Sequence, residues 1–286
     1  MSQQTAILLI HCPDQAGILS AVTDFVTKNN GNIFTLEQHV EEFENHFFMR
    51  IEWSLEGFSI PRDKISEFFG TLVAQKFRIE YSLKFNDFVP KIALFVSKYS
   101  HCFFDILSRF QSKEWKIEIP LIISNHKKFE YVAERFNIPY HYIPINKKNK
   151  VEAEAQEIKL LKESNIDLVV LARYMQVLTS NFIDEYPNKI INIHHSSLPA
   201  FAGAKPYENA YKRGVKLIGA TAHYVTEDLD AGPIISQEVK AVSHRESLAD
   251  LKRRGKNTEK FVLAEAIWQH LNHKILPYKN KTIVFS

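Results

Sequence analysis

Two short stretches of the sequence combine side chains that could carry out acid–base chemistry. In the first, an apolar strand pattern ends with Asn192 and His194, which point to the same side because side chains alternate along a strand. An amide and an imidazole presented together can polarise a carbonyl group and transfer a proton. In the second, an acid-rich loop follows His223 and returns through Asp230 and Gly232. These stretches predict chemistry at a carbonyl carbon, and a purely structural role for a strand histidine stays open.

Metal binding is the first alternative for these residues. His194 and His195 could join Asp230 as ligands, but adjacent histidines on a strand point apart and cannot easily share one ion. Cys12 next to His11 lacks the further Cys or His that would complete a ligand set at the usual spacing. We therefore predict no metal site.

A serine nucleophile is the second alternative. Ser196 and Ser197 follow the two histidines directly, but neither lies in a G-x-S-x-G turn that would expose a reactive hydroxyl. The sequence therefore favours Asn192 and His194 over the serines.

The elements that position these residues alternate between strand and helix from residue 91 onwards. The pattern predicts a doubly wound, mostly parallel α/β sheet, in which ligands gather at the carboxyl ends of the strands. We predict a catalytic domain over residues 91–286. The predicted strands cover residues 91–97, 117–124, 141–144, 166–172 and 189–194, with helices at 102–110, 127–137, 151–163 and 206–213.

The first 86 residues follow another rhythm, in the order β-α-β-β-α-β. Alternating apolar residues in 47–55 and 77–85 predict half-buried strands, so this domain is predicted to be ferredoxin-like. Residues 87–90 are the predicted linker. The second helix is predicted to bury Ile65, Phe68, Phe69, Leu72 and Val73.

The turn CPDQAG at 12–17, together with GNI at 31–33, resembles the ACT family of regulatory domains, which often bind amino acids. Two readings stay open: an effector site, or a turn in which Asp14 caps the first helix and Gly17 fits the backbone, in a module that only mediates oligomerisation. The candidate effector residues are Asp14, Gln15, Ala16, Gly17, Asn32 and Ile33.

Composition excludes several classes of function. The 286 residues carry 36 basic and 33 acidic side chains, and this net charge of +3 is too small to indicate binding to nucleic acid or a membrane surface. Two isolated cysteines predict reduced thiols, and no apolar run reaches the length of a membrane span, so we expect a cytoplasmic protein. The basic run at 252–254 is interpreted as solvated surface.

Taken together, the runs NIHHSSLPAFAGAKPYENAY (192–211) and GATAHYVTEDLDAGPIISQ (219–237) resemble the formyl-transfer family of glycinamide ribonucleotide formyltransferase and its relatives. The resemblance covers residues 91–286 and places the catalytic trio of that family on Asn192, His194 and Asp230. One departure is Ala202, where many relatives carry a larger residue. The resemblance also implies supporting roles for His195, His223 and Gly232, and a folate site formed by Met175, Gln176, Val177, Leu178, Thr226, Glu227 and Asp228.

One missing feature separates the relatives. The ribonucleotide transferase has a glycine-rich phosphate loop after its first strand, whereas residues 97–102 here, SKYSHC, contain no glycine. Phosphate binding by Lys98 and His101 side chains is the alternative. Together with the ACT-like region, this loss makes the whole chain resemble the formyltetrahydrofolate deformylase family. That resemblance implies hydrolysis of 10-formyltetrahydrofolate, supplying formate for purine synthesis and balancing one-carbon pools, with the folate as substrate and no further cofactor.

The mechanism that we predict uses water as the nucleophile. Asp230 positions the water and accepts its proton, Asn192 and His194 stabilise the oxyanion, and His194 or a water relay protonates the departing nitrogen. The alternatives are a formyltransferase with a non-phosphoribosyl amine acceptor and a catalytically silent folate or amino-acid sensor. The predicted partners are the folate, an amino-acid effector such as glycine or methionine, and further copies of the chain in a dimer or tetramer.

Overall fold

The computed structural model describes residues 3–199 and 206–286 of the chain. The predicted departure at Ala202 lies outside the described residues. The chain forms two compact units. The first comprises Met1–Phe88, Asn272–Leu276 and Ile283–Ser286, and the second comprises Val89–Leu271 and Pro277–Thr282.

The first unit contains a four-stranded antiparallel sheet in the order β2-β3-β1-β4. This order and the two helical stretches confirm the predicted ferredoxin-like arrangement. Its strands are β1 (Thr5–Pro13), β2 (Ile33–Glu41), β3 (His46–Ser54) and β4 (Glu80–Phe85), and its helices are α1 (Ile18–Thr27), α2 (Ile65–Phe69) and α3 (Gln75–Phe77), the last two joined by a π-helical segment over Gly70–Ala74.

Helical periodicity determines which side of the second helical stretch is buried. Ile65, Phe69 and Val73, spaced by four residues, are buried in the core of the first unit. Phe68 and Leu72 were predicted to share that face, but they are 43% and 62% exposed. Each directly precedes a buried residue, Phe69 or Val73, so its side chain points to another side of the helical stretch.

The end of the chain returns to the first unit, which the linear pattern did not indicate. The strands β12 (Ile275–Tyr278) and β13 (Lys281–Val284) form a hairpin. The guanidinium of the buried Arg50 donates hydrogen bonds to the carbonyl oxygens of Asn272 and His273, at 3.4 and 3.1 Å. These bonds satisfy a buried charge of the sheet, so the unit is built from distant parts of the chain.

The second unit contains a seven-stranded sheet in the order β11-β10-β9-β8-β5-β6-β7. Neighbouring strands from β7 to β9 are parallel, and β10 and β11 are antiparallel, which confirms the predicted mostly parallel sheet. The strands are β5 (Lys91–Val96), β6 (Glu118–Ser124), β7 (Tyr140–Tyr142), β8 (Leu168–Ala172), β9 (Ile190–His194), β10 (Leu217–Tyr224) and β11 (Ile234–Ala241), and the helices are α4 (His101–Gln111), α5 (Glu130–Arg135), α6 (Lys150–Glu163), α7 (Ser180–Glu185), α8 (Pro206–Arg213) and α9 (Leu248–Leu271).

The register of this sheet brings the chemical residues of different strands together. Leu171 near the end of β8 pairs with Asn192 on β9, so the carboxyl ends of these parallel strands meet. β10 runs in the opposite direction and pairs His223 with Asn192. Asn192 of β9 therefore lies between Leu171 of β8 and His223 of β10.

Two successive polar turns precede helix α9. In the first, Glu246 accepts a hydrogen bond from Ser243 N and Ser243 Oγ accepts one from Arg245 N, but the helix starts only at Leu248. Ser247 and Asp250 form the box that precedes it, because Ser247 Oγ accepts a hydrogen bond from Asp250 N while Asp250 Oδ2 accepts one from Ser247 N. Across the described ranges, no helix combines the length and apolarity needed to cross a membrane.

Candidate active site

Two neighbouring strands and one loop form the centre of the candidate site. Asn192 and His194 lie on the same side of β9, as the strand period requires, and His194 is buried at 5% exposure. Asp230 lies in the loop of residues 225–233 that joins β10 to β11. The structure thus brings together the three residues predicted to be catalytic.

Gly232 determines the path of the 225–233 loop. A Cβ atom at this position would lie 1.9 Å from the carbonyl oxygen of Tyr224, so only glycine allows the chain to pass the end of β10. Asp230, two residues earlier, has a φ of 56°, a left-handed conformation that Asp tolerates better than most residues. The backbone of the loop therefore directs the Asp230 carboxylate towards His194 and His223.

His194 and Asp230 form a hydrogen-bonded pair. Nδ1 of His194 lies 3.1 Å from Oδ2 of Asp230. The hydrogen bond from His194 holds the pKa of the Asp230 carboxyl well below its usual range. Nε2 of His194 is buried and has no hydrogen-bond partner among the described residues. With Nδ1 donating to the carboxylate, Nε2 is the atom of the pair that can exchange a proton with a ligand.

His223 fixes the orientation of Asn192. Its Nδ1 lies 2.9 Å from the carbonyl oxygen of Tyr224, which can only accept, so Nδ1 carries a proton. When the ring is neutral, Nε2 is an acceptor and the amide nitrogen of Asn192 donates to it at 3.2 Å, while Oδ1 of Asp230 lies 3.8 Å from the same atom. The second N–H of the same amide remains available to a ligand oxygen.

A cavity of about 690 Å³ opens in front of these side chains. One of its walls is the 173–179 loop between β8 and α7, where Met175 and Val177 are 52% and 53% exposed. Exposed apolar side chains on a cavity wall favour a flat, apolar ligand group. All residues predicted to bind folate line this cavity, namely Met175, Gln176, Val177, Leu178, Thr226, Glu227 and Asp228.

His195 faces another environment than His194. Its ring lies between the rings of His194 and Tyr207, with centroid distances of 4.9 and 6.0 Å. Burial, reinforced by the charge of Arg173, lowers the pKa of His195 to about 4, so the ring is neutral at neutral pH. This supports a packing role for His195 beside His194.

A second group of polar residues lines the same cavity, and the sequence interpretation missed its central residue, Glu259. Glu259 of α9 is only 1% exposed and lies 2.7 Å from His101 Nε2 and 3.2 Å from Arg173 Nε. Tyr207 donates a hydrogen bond to its other oxygen. Although burial opposes ionisation, the His101 hydrogen bond and the charge of Arg173 hold the pKa of Glu259 below its usual value. One signal was present: Glu259 precedes Leu263 by four residues, on the apolar stripe of α9.

The basic run at 252–254 is not only solvated surface. Lys252 lines the cavity together with Lys256, one helical turn later, and pairs with Glu208 at 2.7 Å. The side chain of Lys252 is thereby drawn towards the cavity, which the charge pattern alone does not reveal.

Among the described residues, one group has the donor types of a metal site. Donor atoms of His101, Cys102 and Glu259 lie within 4.8 Å of one another. Two of these residues are engaged in the ion-pair network with Arg173, whose positive charge disfavours a cation there. Burial also raises the pKa of the Cys102 thiol, and metal coordination needs the thiolate.

The structure does not bring the candidate effector residues of the first unit together. Asp14, Gln15, Ala16 and Gly17 precede α1, whereas Asn32 and Ile33 follow it. A helix of 10 residues separates the two groups by roughly 15 Å. No side chain caps α1, so Asp14 does not have the capping role considered above, and Gly17, with a φ of 94°, occupies that position.

Two family models match the chain. One described as formyl transferase matches residues 90–267, and one described as ACT domain matches residues 6–52. The fold and the Asn192–His194–Asp230 site therefore define an enzyme of the formyl transferase class that carries an ACT domain.

Similar proteins narrow this class. Formyltetrahydrofolate deformylase from Synechocystis sp. is 49% identical over 286 residues, covering 100% of both chains. The crystal structure of a formyltetrahydrofolate deformylase from Pseudomonas syringae pv. tomato has a TM-score of 0.96 at 42% identity, covering 100% of this chain and 96% of that one. A glycinamide ribonucleotide transformylase from Symbiobacterium toebii is more distant, with a TM-score of 0.66 at 26% identity over 72% of this chain and 98% of that one. The chain belongs to the formyltetrahydrofolate deformylase family.

Proposed function

We propose that this protein hydrolyses 10-formyltetrahydrofolate to formate and tetrahydrofolate, with water as the nucleophile. The observation that carries the proposal is the His194–Asp230 pair, which leaves Nε2 of His194 buried and unpartnered at a cavity. Full-length similarity to formyltetrahydrofolate deformylases supports the choice of substrate. The formate serves purine synthesis, and the reaction balances one-carbon pools.

In the first step, a water molecule attacks the formyl carbon. The new C–O bond forms as the electrons of the carbonyl double bond move to its oxygen, and the water proton passes to the His194–Asp230 pair. Asp230 was predicted to accept this proton directly. Its pKa lies below the usual range because it already accepts a hydrogen bond from His194, and a carboxylate of low pKa is a weak base. We therefore assign the proton to Nε2 of His194, with Asp230 stabilising the imidazolium.

Asn192 is the residue assigned to the oxyanion. One of its N–H bonds is used by His223, and this bond holds the amide plane in place. The other N–H donates to the oxygen that gains negative charge in the tetrahedral intermediate. A donor that is already oriented loses little entropy in the transition state, which is the basis of such stabilisation.

In the second step, the C–N bond of the intermediate breaks and the folate nitrogen takes the proton from Nε2 of His194. The oxyanion re-forms a carbonyl, and the resulting formic acid releases its proton to solvent as formate. His194 thus acts first as base and then as acid, with the pair restored at the end.

Water is favoured over an amine acceptor by the composition of the 97–102 segment. It contains no glycine, and His101 within it is hydrogen-bonded to Glu259 instead of being available to a phosphate. The silent sensor is disfavoured because all three side chains assigned to catalysis are present and close together. Asp230 lies 3.1 Å from His194 and 3.8 Å from His223, which in turn lies 3.2 Å from Asn192.

The finer assignments of partners and location belong to the same proposal. The folate is the substrate and no separate cofactor is invoked. We assign to the ACT domain an amino-acid effector such as glycine or methionine and a role in a homodimer or homotetramer. A cytoplasmic location is supported by Cys12 and Cys102, which are both free thiols.

The test is formate release from 10-formyltetrahydrofolate by purified protein in the absence of any amine. Asp230→Asn removes the negative charge that stabilises the imidazolium, so kcat is expected to fall by roughly 10³-fold while tetrahydrofolate binding stays within about threefold.

Asp184→Asn, on the exposed side of α7, is the matched control and should retain wild-type kcat. Formyl transfer to an added amine without formate release by the wild type would contradict hydrolysis. Near-wild-type turnover by Asp230→Asn would contradict the assigned roles.

A further inference from the structure

The 173–179 loop is neither helix nor strand, yet it forms the wall of the cavity that faces the predicted folate ring. Its middle residues are exposed, so packing does not fix their position. The carboxylate of Glu259 pairs with Arg173, the first residue of the loop. Three further side chains outside the loop accept hydrogen bonds from it. One is Ser97, whose Oγ accepts a hydrogen bond from the backbone N–H of Met175 at 3.1 Å. The other two are Glu154 and Glu157, both on α6.

Glu157 holds the beginning of the loop. The phenol of Tyr174 donates to its Oε1 at 2.9 Å, and both side chains are buried. The ring of Tyr174 also packs edge-on against Phe95, at a centroid distance of 5.2 Å. Tyr174, the second residue of the loop, is therefore held both by a directional hydrogen bond and by ring packing.

Glu154 holds the end of the loop. Its Oε1 accepts a hydrogen bond from the backbone N–H of Thr179 at 3.1 Å, and its Oε2 accepts one from the Thr179 hydroxyl. Lys150, one turn earlier on α6, lies 3.9 Å from the same carboxylate. Glu154 and Glu157 are three residues apart and thus on the same side of α6, so one rigid helix binds both ends of the loop.

Burying these two carboxyl groups lowers the stability of the folded state. Glu154 and Glu157 are 4% and 0% exposed, and Oε2 of Glu157 has no partner among the described residues. An apolar side chain in either position would avoid the desolvation of a carboxylate. Directional hydrogen bonds to the loop are what the two carboxylates provide and apolar residues could not.

We infer that Glu154 and Glu157 are positioning residues for folate binding, which hold the 173–179 loop through Thr179 and Tyr174. The inference rests on the proposed function, because it assigns the folate to this wall of the cavity. Neither acid lies among the residues that line the cavity, so both act through the loop. Releasing either end of the loop weakens the binding of folate. The turnover of bound substrate stays the same, because His194 and Asp230 lie on β9 and the 225–233 loop.

The experiment measures tetrahydrofolate binding by calorimetry and steady-state formate release for the same set of full-length variants. Tyr174→Phe and Glu154→Ala each remove one attachment and are expected to raise the Kd for tetrahydrofolate and the KM roughly tenfold, with kcat within about twofold. Glu157→Gln keeps an oxygen that accepts the hydrogen bond from Tyr174, so its Kd for tetrahydrofolate should stay within about twofold of the wild-type value. Glu152→Gln, exposed on the same helix, is the matched control.

The outcomes separate the two proposals. A purely structural role would lower the fraction of active enzyme, and hence kcat, at unchanged KM and Kd, which would overturn the inference. Unchanged kinetics in Tyr174→Phe and Glu154→Ala would overturn it as well. A wild type that binds tetrahydrofolate but releases no formate would refute hydrolysis, and weaker binding by the two variants would still support the positioning role. A wild type that does not bind tetrahydrofolate would overturn both.

Discussion

At the scale of single residues, three histidines in close proximity have different tasks because their partners differ. Nδ1 of His194 donates a hydrogen bond to the carboxylate of Asp230, and its Nε2 remains available to a ligand. His223 gives Nδ1 to a backbone carbonyl and uses Nε2 to orient an amide. His195 is held neutral by burial, which lowers its pKa to about 4. His194 lies closer to the Asp230 carboxylate than His223 does, at 3.1 Å against 3.8 Å, and its Nε2 has no protein partner among the described residues, so acid–base chemistry is assigned to it.

Glu157 makes the stability of the protein depend on pH. Burial raises its pKa from 4.5 to about 7, so the folded state binds a proton more tightly than the unfolded state. This contribution is fully present below about pH 4.5 and is lost as the pH rises through 7, by about 3 kcal/mol at most. Glu157→Gln removes this loss, so the stability of the variant relative to the wild type is expected to increase from about pH 5 to about pH 8.

Urea unfolding at both pH values measures this difference. Glu152→Gln should follow the wild type at both, because its side chain is exposed. An equal offset between Glu157→Gln and the wild type at the two pH values would show that Glu157 does not titrate in this range.

At the scale of elements, the site depends on a close approach of backbone segments. The 225–233 loop leaves β10 at Tyr224 and passes its carbonyl oxygen again at Gly232. The same oxygen accepts the Nδ1–H of His223. One backbone carbonyl therefore sets both the position of Asp230 and the tautomer of His223.

Gly232→Ala tests this arrangement. The added Cβ would lie 1.9 Å from the Tyr224 oxygen, so the loop must move and carry Asp230 away from His194. We expect kcat to fall at least roughly tenfold and the melting temperature to decrease by roughly 5 °C. Ala231→Ser, at an exposed neighbouring position, should change neither. A fully active Gly232→Ala variant would show that the loop can adopt another path.

The sequence predicts elements whose signal is local and misses those that depend on distant parts of the chain. Strand alternation placed Asn192 and His194 on one side of β9, and glycine and aspartate types marked the 225–233 loop. The buried Glu259 was missed because its partners come from distant parts of the chain: His101 from α4, Arg173 from the 173–179 loop and Tyr207 from α8. Glu154 and Glu157 were equally hidden, since an acid-rich helix is usually exposed.

At the scale of the whole molecule, the two units do not correspond to two uninterrupted stretches of sequence. The sequence predicts a first domain over residues 1–86, a linker over 87–90 and a catalytic domain over 91–286. This division into functional domains stays a prediction. The compact units differ from that division, because Asn272–Leu276 and Ile283–Ser286 belong to the first one. Besides the bonds from Arg50, Glu37 accepts hydrogen bonds from the backbone and hydroxyl of Ser286, at 2.8 and 2.7 Å.

A fragment of residues 1–88 is therefore expected to be less stable than the same unit in the full chain. It lacks the carbonyl groups that accept from the buried Arg50 guanidinium, and an unpaired buried donor on a charged group is costly. Circular dichroism should show a melting temperature for the fragment that is lower by roughly 10 °C, or no cooperative transition. A fragment that melts with the first transition of the full-length protein would refute this dependence.

The return of the chain end has a consequence for biosynthesis. On the ribosome, N-terminal domains usually fold while the rest of the chain is still being made. Here the first unit is complete only after residues 283–286 have been added. Until then Arg50 on β3 lacks the carbonyl oxygens of Asn272 and His273 as hydrogen-bond acceptors. We therefore expect a nascent chain stalled before Asn272 to be recognised by chaperones and proteases more readily than the full chain.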